Sequence, residues 1–448
     1  MTHLVAAGAA AVAVTGGHAD DAARTRARAA AGPAYPFSIG PTHRYLVDRR
    51  GRPFLIVGDS PQSLIVNLSE PDADRFFADR QAAGFNAVWI NLLCQTYTAG
   101  RADATTYDGI APFTTPGDLS TPNPQYFGRV DEMIRLAARH GITVFLDPAE
   151  TGGWLGVLED NELAKAYAYG HFLGRRYARF PNLVWLNGND FQDWRDSSKD
   201  LLVRAVASGI RSADPAHLQT IELNYPVSAS LEDPRWRSAI GLDAVYTYKP
   251  VYAAVLREWA RKSPAPTFLI EANYEFENAY EGPETLRRQE YWALLSGASG
   301  QFYGNKYTWQ FLDGWAGKLD TSGSEQIRYL TRLFGSRPWY ELVPDRQHKV
   351  VIDGYGTFDP GGDMNNNDYV TAARTPDGRL MIAYLPTSRP VRVAMSAMSG
   401  RVRAEWYDPS SGRYSPIGHS FANAGERTFT PAEENSAGDA DWVLVLSA

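Results

Sequence analysis

The sequence predicts an α/β fold, a (β/α)8 TIM barrel followed by a smaller antiparallel β-sandwich domain. Up to about residue 303, eight apolar runs rich in β-forming residues alternate with amphipathic helical stretches, as in a barrel. After Pro338, short alternating runs are separated by Pro, Gly, Asn and Ser turns, as in antiparallel sheets. We therefore divide the chain into residues 1–35, 36–340 and 341–448.

The eight predicted barrel strands are almost continuously apolar, which is typical of parallel strands buried on both faces. They are Phe54–Val57, Ala87–Leu93, Thr143–Leu146, Leu183–Leu186, Gln219–Leu223, Ala244–Tyr248, Thr267–Ile270 and Gly300–Tyr303. An open, doubly wound sheet is the structural alternative. It would show fewer units and a Gly-rich first loop, and Val57-Gly-Asp-Ser-Pro61 lacks that glycine pattern.

Helices are predicted between these runs from their caps and apolar spacing. Ser69 and Pro71 begin a helix that runs to Ala83, with Ser as N-cap and Pro at an early position. The next helix has apolar residues at a spacing of three or four and ends before Gly141. The other predicted helices are Asn161–Arg179, Lys199–Arg211, Ala253–Lys262, Glu284–Leu295 and Glu325–Phe334. Between residues 224 and 240, two prolines break the helical pattern.

After residue 340, the alternating apolar pattern predicts the strands of a sandwich, separated by turns. They are Lys349–Ile352, Tyr369–Ala373, Leu380–Leu385, Val391–Met395, Val402–Tyr407 and Trp442–Leu446.

At the other end of the chain, Met1–Val14 and then Gly17-His-Ala19 resemble a secretory signal with its cleavage site. We expect a secreted or extracytoplasmic protein, with a cytoplasmic location as the alternative. We also expect a disordered spacer up to Pro33 and no segment that spans a membrane.

Composition excludes several classes of function. The net charge of −7 and pI near 5.7 speak against nucleic acid or an anionic membrane as a partner. Cys94 is the only cysteine, so no intramolecular disulfide can form, and its apolar run predicts a core thiol. We expect a monomer.

The 12 Trp and 24 Tyr would stack on sugar faces where they lie at strand ends, and otherwise fill the core.

Active sites of TIM barrels lie at the carboxyl ends of the strands, and the polar residues there are acids, amides and phenols. They are Asp59, Asn91, Asp147, Glu150, Asn187-Gly-Asn-Asp190, Asn224, Tyr246, Tyr248, Glu271, Asn273, Asn305 and Lys306. The sequence at these strand ends contains no phosphate-binding glycine loop, no His pair at metal spacing and no Gly-x-Ser-x-Gly elbow. We therefore expect neither a metal nor a cofactor.

Two of these acids suit the hydrolysis of a glycosidic bond, which needs a proton donor and a second carboxylate. Glu271 directly follows a buried strand, and Asp190 follows another after a short polar turn. By strand count, Asp190 ends strand 4 and Glu271 ends strand 7, so the two face each other across the barrel mouth. The alternatives are helix caps or surface charges, with Asp193 as a nearby competitor of Asp190.

Four further polar residues are candidate substrate ligands. Asn189 would hydrogen-bond a substrate hydroxyl beside the reacting carbon. Asp59 would hold hydroxyls of the bound sugar or cap the following segment. Asn91 and Asn187 are amides on barrel strands, where burial demands partners, either in the substrate or in an internal network.

Four aromatic residues complete the candidate site. Tyr246 would donate to Glu271 and keep it ionised, whereas core packing is the stronger interpretation of Tyr248. Trp154 and Trp309 follow strands 3 and 8 and are candidate stacking platforms for the sugar, with packing inside a loop as the alternative.

Several motifs, in this order, resemble one family of retaining TIM-barrel glycosidases, the apiosidase-like glycoside hydrolase family 140. They are Pro53-Phe-Leu-Ile-Val-Gly-Asp-Ser60, Gly84-Phe-Asn-Ala-Val88, Asn182-Leu-Val-Trp185, Asn187-Gly-Asn-Asp190 and Phe268-Leu-Ile-Glu271. Ala404-Glu-Trp-Tyr-Asp-Pro409 and Ser411-Gly-Arg413 resemble the β-domain, named for collagen binding, that commonly follows this barrel. The resemblance covers roughly residues 36–448. It implies that Asp190 is the general acid/base and Glu271 the nucleophile.

The predicted function is therefore that of an exo-acting, retaining glycoside hydrolase on side chains of plant or microbial polysaccharides. The family's founding activity, release of apiose from a pectic side chain, need not transfer. A glycosidase on another sugar, such as an arabinofuranoside or a galactoside, is one alternative. A non-catalytic carbohydrate-binding or adhesion protein is another, although it would be expected to lack one of the two carboxylates. For the β-domain we prefer structural support over ligand binding.

Overall fold

The structure is a computed structural model that describes residues 32–448, so the predicted signal segment lies outside the described residues. Eight parallel strands form the nearly closed barrel that the sequence predicts. They are β1 (Ile56–Asp59), β2 (Ala87–Asn91), β3 (Thr143–Asp147), β4 (Leu183–Phe191), β5 (Gln219–Leu223), β6 (Asp243–Thr247), β7 (Thr267–Glu271) and β8 (Gly300–Tyr303). The sheet runs from β5 back to β1 and on through β8 and β7 to β6, where Val227–Ala229 adds an antiparallel edge.

The barrel interior is a packed core and leaves room for a site only at its mouth. Large side chains from opposite strands meet inside it, including Phe145, Phe268 and Phe302. Gly58 on β1 is required for this packing, because a Cβ there would lie 2.4 Å from the Phe302 ring. The side chains at the carboxyl ends of the strands therefore rest on a close-packed floor.

Helices cover the outside of the barrel and carry the caps expected from the sequence. They are α1 (Glu70–Ala83), α2 (Pro124–Arg139), α3 (Thr151–Tyr177), α4 (Ser197–Ala213), α5 (Val251–Trp259), α6 (Pro283–Leu295) and α7 (Ser322–Gly335). Ser69 caps α1 by accepting from the Asp72 amide, and Gly84 ends it with a φ of 93°. Between β5 and β6 the chain has two 3-10 turns, Ser230–Glu232 and Pro234–Trp236.

Helix α3 differs from its prediction. It begins at Thr151 rather than at Asn161, because Glu150 caps it by accepting from the Gly153 amide at 2.6 Å. A residue with non-helical backbone, Glu162 at φ 60°, breaks the helix near the predicted start. The apolar periodicity predicted only the part beyond this break, and the capped first segment was missed.

The C-terminal region is the predicted β-sandwich. Its six-stranded sheet contains Val343–Pro344, Thr371–Arg374, Leu380–Leu385, Trp442–Ser447, Val402–Asp408 and Arg413–Phe421 in that spatial order, and its three-stranded sheet contains Val351–Asp353, Val391–Ala394 and Glu426–Phe429. Alternate residues such as Met381 and Val393 fill the space between the sheets. A further small sheet of Ser38–Ile39, Leu46–Val47 and Pro53–Phe54 precedes the barrel.

The other face of the six-stranded sheet packs on the barrel. Tyr384 stacks on Tyr291 of α6, with ring centroids 5.0 Å apart. Arg287 of α6 is buried and makes a bidentate ion pair with Asp441 of the last strand. The central strands of the sheet, such as Leu380–Leu385, are therefore buried on both faces, in keeping with a supporting role. Among residues 32–448, no helix is both long and apolar enough to cross a membrane.

Candidate active site

Asp190 and Glu271 meet at the barrel mouth. They lie close enough for the charge of Asp190, after burial itself, to raise the pKa of Glu271. The hydroxyl of Tyr246 lies beside both carboxyls and acts against the burial that raises the pKa of each. Asp193, the competitor of Asp190, instead forms an exposed ion pair with Lys199 at 2.6 Å.

Glu271 ends β7 and is held by phenols on both sides. Tyr248 donates to Oε1 at 2.9 Å, and Tyr274 donates to Oε2 at 3.0 Å. Hydrogen bonds of this kind favour the ionised form of a carboxyl and fix its orientation. Burial, followed by the charge of Asp190, nevertheless raises the pKa of Glu271 to about 8. Burial and hydrogen bonding therefore act on the charge of this carboxyl in opposite directions.

The sequence predicted that Asp190 lies on a turn after the strand. In the structure, Asp190 instead lies on a bulge within β4. Asn187 pairs with Ile221 and Phe191 with Leu223, so three residues of β4 oppose the single residue 222 of β5. The three are in the left-handed region, with φ of 106° at Gly188, 54° at Asn189 and 55° at Asp190. The bulge turns the Asp190 side chain toward the mouth.

The side chain of Asp190 has one occupied and one open oxygen. Tyr97, from the 3-10 turn after β2, donates to Oδ2 at 2.7 Å. Among residues 32–448, Oδ1 has no hydrogen-bond partner, although it is buried. Burial raises the pKa of Asp190, and the Tyr97 and Tyr246 hydroxyls act against this. A proton on Asp190 would therefore sit on Oδ1, because Oδ2 already accepts from Tyr97.

Asn189 is fixed on the same bulge by two neighbours. Asn91 donates to its side-chain oxygen at 2.6 Å, and Thr151 donates to its backbone oxygen at 3.0 Å. Within the part of the chain that the structure describes, the Asn189 Nδ2 group makes no hydrogen bond. The predicted hydrogen bond from Asn189 to a substrate hydroxyl therefore stays a prediction, compatible with these contacts.

A third carboxyl, Glu222 of β5, lies beside the pair and was missed from the sequence. It is fully buried, and the Asp190 amide donates to its Oε2 at 3.0 Å. Burial, then the charges of Glu271 and Asp190, raise its pKa well above the usual range. Strand alternation could have found it, because Thr220 and Glu222 point into the barrel when Ile221 packs outside.

Three predicted substrate ligands are occupied by other contacts. Asp59 forms a buried ion pair with Arg80 of α1 at 2.6 Å and also accepts from the Ser60 amide. Asn187 donates across to β5, to the Thr220 carbonyl at 2.9 Å. Asn91 accepts from the Trp89 indole at 2.9 Å while it donates to Asn189. These contacts favour the alternative of an internal network or a cap, and a substrate role for the three residues stays a prediction.

The aromatic predictions need correction. Trp154 lies inside α3, is 2% exposed and packs against Phe113, so it is no stacking platform. Trp309 is half-buried, and its indole donates to Glu277 at 3.1 Å. Tyr248 hydrogen-bonds Glu271, which makes it more than the packing residue that the sequence favoured.

Two exposed tyrosines, which the sequence analysis did not select, line the mouth. Tyr225 follows β5, is 51% exposed, and lies edge-on to Tyr248 at 6.2 Å. Tyr97 lies over Gly152, where a Cβ would approach its ring to 2.2 Å. Both are on loops, and no strand or helix periodicity places a loop residue. Among residues 32–448, no cluster of three or more His, Cys, Asp or Glu side chains is arranged to hold a metal.

The chain resembles glycosidases in both sequence and structure. Residues 41–341 match the family model "Apiosidase-like, catalytic domain", and residues 360–447 match "Putative collagen-binding domain of a collagenase". A solved structure described as a glycoside hydrolase is 22% identical, with a TM-score of 0.79, and the alignment covers 92% of this chain and 97% of that one. A family 5 glycoside hydrolase from Bacteroides vulgatus has the same identity and TM-score and covers 92% and 93%.

No curated protein matches the chain. The two solved structures share its fold over both the barrel and the β-domain. The first family model spans about two thirds of the sequence and includes both candidate carboxyls. The chain is a glycosidase, and it belongs to the apiosidase-like catalytic-domain family.

Proposed function

We propose that the enzyme is an exo-acting, retaining glycosidase that removes terminal sugars from side chains of plant or microbial polysaccharides. Asp190 is the general acid/base and Glu271 the nucleophile. The observation that carries this assignment is the unequal hydrogen bonding of the two carboxyls. Glu271 accepts from two phenols, which favours its charge, whereas Asp190 keeps Oδ1 open for a proton.

The reaction has two steps. In the first, Glu271 attacks the anomeric carbon while the glycosidic bond breaks and the Asp190 proton passes to the leaving oxygen. In the second, the Asp190 carboxylate takes a proton from water, and the water oxygen displaces Glu271 from the anomeric carbon. A retaining mechanism of this kind needs carboxyls about 5–5.5 Å apart. The charge of Asp190 raises the pKa of Glu271, which supports the pairing of these two carboxyls.

Three groups at the mouth suit a neutral sugar. The Asn189 amide would donate to a hydroxyl beside the anomeric carbon, Tyr225 would stack on a sugar face, and Trp309 would border the leaving group. Terminal apiose is the first substrate to test because of the family to which the chain belongs. An arabinofuranoside or a galactoside fits the same carboxyl pair, since loops rather than carboxyls decide which sugar binds.

The proposal is tested with purified protein and 4-nitrophenyl apiofuranoside, arabinofuranoside and galactopyranoside, followed by pectic polysaccharide. We expect turnover of one aryl glycoside and release of the free monosaccharide, with the anomeric configuration kept in the first product seen by NMR. Internal cleavage of the polymer would contradict exo action, and inverted product would contradict the two-step mechanism. No turnover of any of these substrates would contradict the proposed substrate class.

We also propose export, a monomeric state and a division into a barrel at residues 36–340 and a β-domain at residues 341–448, which the Arg287–Asp441 pair joins. The apolar Met1–Val14 segment followed by Gly17-His-Ala19 supports export. Expression of the full chain in a secreting host, followed by N-terminal sequencing of the protein in the medium, tests it. A mature end near Ala19 is expected, and retention of the intact chain in the cytoplasm would contradict export.

A further inference from the structure

Glu222 lies at the one position that faces the whole bulge of β4. Because Asn187 pairs with Ile221 and Phe191 with Leu223, the three residues between them oppose Glu222 alone. Its backbone limits the bulge, since a Cβ on Gly188 would lie 2.3 Å from the Glu222 carbonyl oxygen. Its side chain reaches the other end of the bulge and accepts from the Asp190 amide at 3.0 Å.

The bulge needs such support, because Asn189 and Asp190 both have left-handed backbone, which L-residues adopt only where their surroundings hold them there. Asn189 is held by Asn91 and Thr151, as described above. The backbone of Asp190 is held by Glu222, because the Asp190 amide donates to the Glu222 side chain. Loss of this acceptor would let the acid rotate away from the leaving group.

The surroundings of Glu222 favour its uncharged form. Glu271 on β7, Asp190 on β4 and Asp147 on β3 all face it, and burial together with their charges raises its pKa. Within residues 32–448, no ion pair joins Glu222 to a lysine or arginine, and its Oε1 has no hydrogen-bond partner. An uncharged carboxyl accepts from the Asp190 amide without placing another negative charge beside the nucleophile.

Glu222 itself is poorly placed to protonate the substrate. It is fully buried below the mouth, whereas Asp190 is partly exposed there. We propose that Glu222 is a positioning residue whose side chain holds the Asp190 backbone so that Asp190 protonates the leaving oxygen. This inference rests on the proposed function, because it assumes that Asp190 is the acid.

The test compares Glu222→Gln and Glu222→Leu on two glycosides of the sugar found in the substrate screen. A 2,4-dinitrophenyl leaving group departs without a proton, whereas a 4-methoxyphenyl group needs one. For Glu222→Leu we expect kcat/KM to fall about 10²-fold on the methoxyphenyl glycoside, the scale of lost acid catalysis, and to change little on the dinitrophenyl glycoside. Glu222→Gln keeps a neutral acceptor, so both rates and the basic limb of the pH profile should stay near wild type.

Equal loss on both glycosides in Glu222→Leu would overturn the inference in favour of a merely structural role. A Glu222→Gln enzyme as slow as Asp190→Asn would also overturn it, because the proton or charge of Glu222 would then be required. If Glu222→Leu does not fold, the Glu222→Gln pH profile still decides. Glu290→Gln, which changes a buried carboxyl of α6, is the matched control and should leave both rates unchanged. If Asp190→Asn retains full activity, the proposed function fails, whatever the Glu222 variants show.

Discussion

At the scale of single residues, hydrogen bonds distinguish two carboxyls that burial treats alike. Burial raises the pKa of Asp190 and of Glu271, and by itself would favour a proton on both. Tyr248 and Tyr274 donate to opposite oxygens of Glu271, while Tyr97 donates to only one oxygen of Asp190. The pair should therefore share one proton, held by Asp190, and the pair rather than either residue would titrate as a unit.

Tyr248→Phe should move the acidic limb of the profile of kcat/KM against pH to higher pH. The phenol favours the ionised form of Glu271 and lowers its pKa, so its removal raises that pKa and leaves less nucleophile ionised at low pH. A hydrogen bond to a charged group contributes about 1.5–3 kcal/mol, which corresponds to a shift of about one to two pH units. Rates measured from pH 4 to pH 9 test this.

Tyr414→Phe provides the control, because this exposed phenol of the β-domain donates to nothing at the barrel mouth and bonds Arg337 instead. Its pH profile should match that of the wild type. An acidic limb that stays in place in Tyr248→Phe, or that moves to lower pH, would show that Tyr248 does not stabilise the Glu271 charge.

The sequence could predict those site residues whose positions follow from regular strand geometry. Glu271 was found because it directly follows a buried strand. Strand alternation also indicates Glu222, although this residue lies within its strand rather than after it. Tyr97 and Tyr225 lie on loops whose path depends on contacts distant in sequence. Trp154 was placed in a loop because its helix was predicted to start too late.

At the scale of elements, the bulge of β4 is the part of the barrel that differs most from the predicted strand. The apolar run Leu183–Leu186 correctly predicted the buried strand, but the strand continues through Phe191. Nothing in Asn187-Gly-Asn-Asp190 alone distinguishes a turn from a bulge, since both use left-handed residues. The pairing with β5, set elsewhere in the chain, decides between them.

A second element-scale feature is the attachment of α1 to β1. Asp59→Ala should lower the free energy of unfolding by at most about 3–5 kcal/mol, the cost of breaking a buried ion pair, because Arg80 keeps a second partner, Asp79, at 3.1 Å. Both Asp59 and Arg80 are 0% exposed, and Arg80 also donates to the Leu319 carbonyl at 3.0 Å. Urea unfolding followed by tryptophan fluorescence measures the change.

Arg135→Ala is the matched control for that measurement. Arg135 is about half exposed and pairs with Glu132 at 3.0 Å, so its loss should change the free energy of unfolding by at most about 1 kcal/mol. A similarly small effect for Asp59→Ala, together with a raised KM, would favour the role of substrate ligand that the sequence analysis considered for Asp59.

At the scale of the whole molecule, the β-domain packs the central strands of its larger sheet on the barrel helices. The bidentate pair between Arg287 and Asp441 is extended by Gln326 of α7 and by Tyr384 of the sheet. Apolar alternation predicted a sandwich with one buried core. The second buried face shows in the sequence only as the near-continuous apolar run Leu380–Leu385, whose residues are all buried.

Because of this interface, Arg287→Met should destabilise the whole protein rather than release one domain. Arg287 is 2% exposed, and its loss leaves the Asp441 carboxylate buried without its cation, at a cost of about 3–5 kcal/mol. We expect one calorimetric transition at lower temperature. Arg392→Ala, which removes an exposed arginine paired with Asp353, should leave the transition unchanged. Two separate transitions in Arg287→Met would contradict this account, because they would mean that the barrel and β-domain unfold independently.

The central claim, that Asp190 and Glu271 divide the acid and nucleophile roles, is tested most directly by trapping the sugar on the enzyme. Asp190→Ala slows the second step more than the first when the substrate is a 2,4-dinitrophenyl glycoside, so the covalent intermediate should accumulate. Mass spectrometry of the intact protein, followed by peptide mapping, should find one sugar residue on Glu271. A sugar on Glu222 or on any other residue, or no adduct together with an inverted product, would contradict the claim.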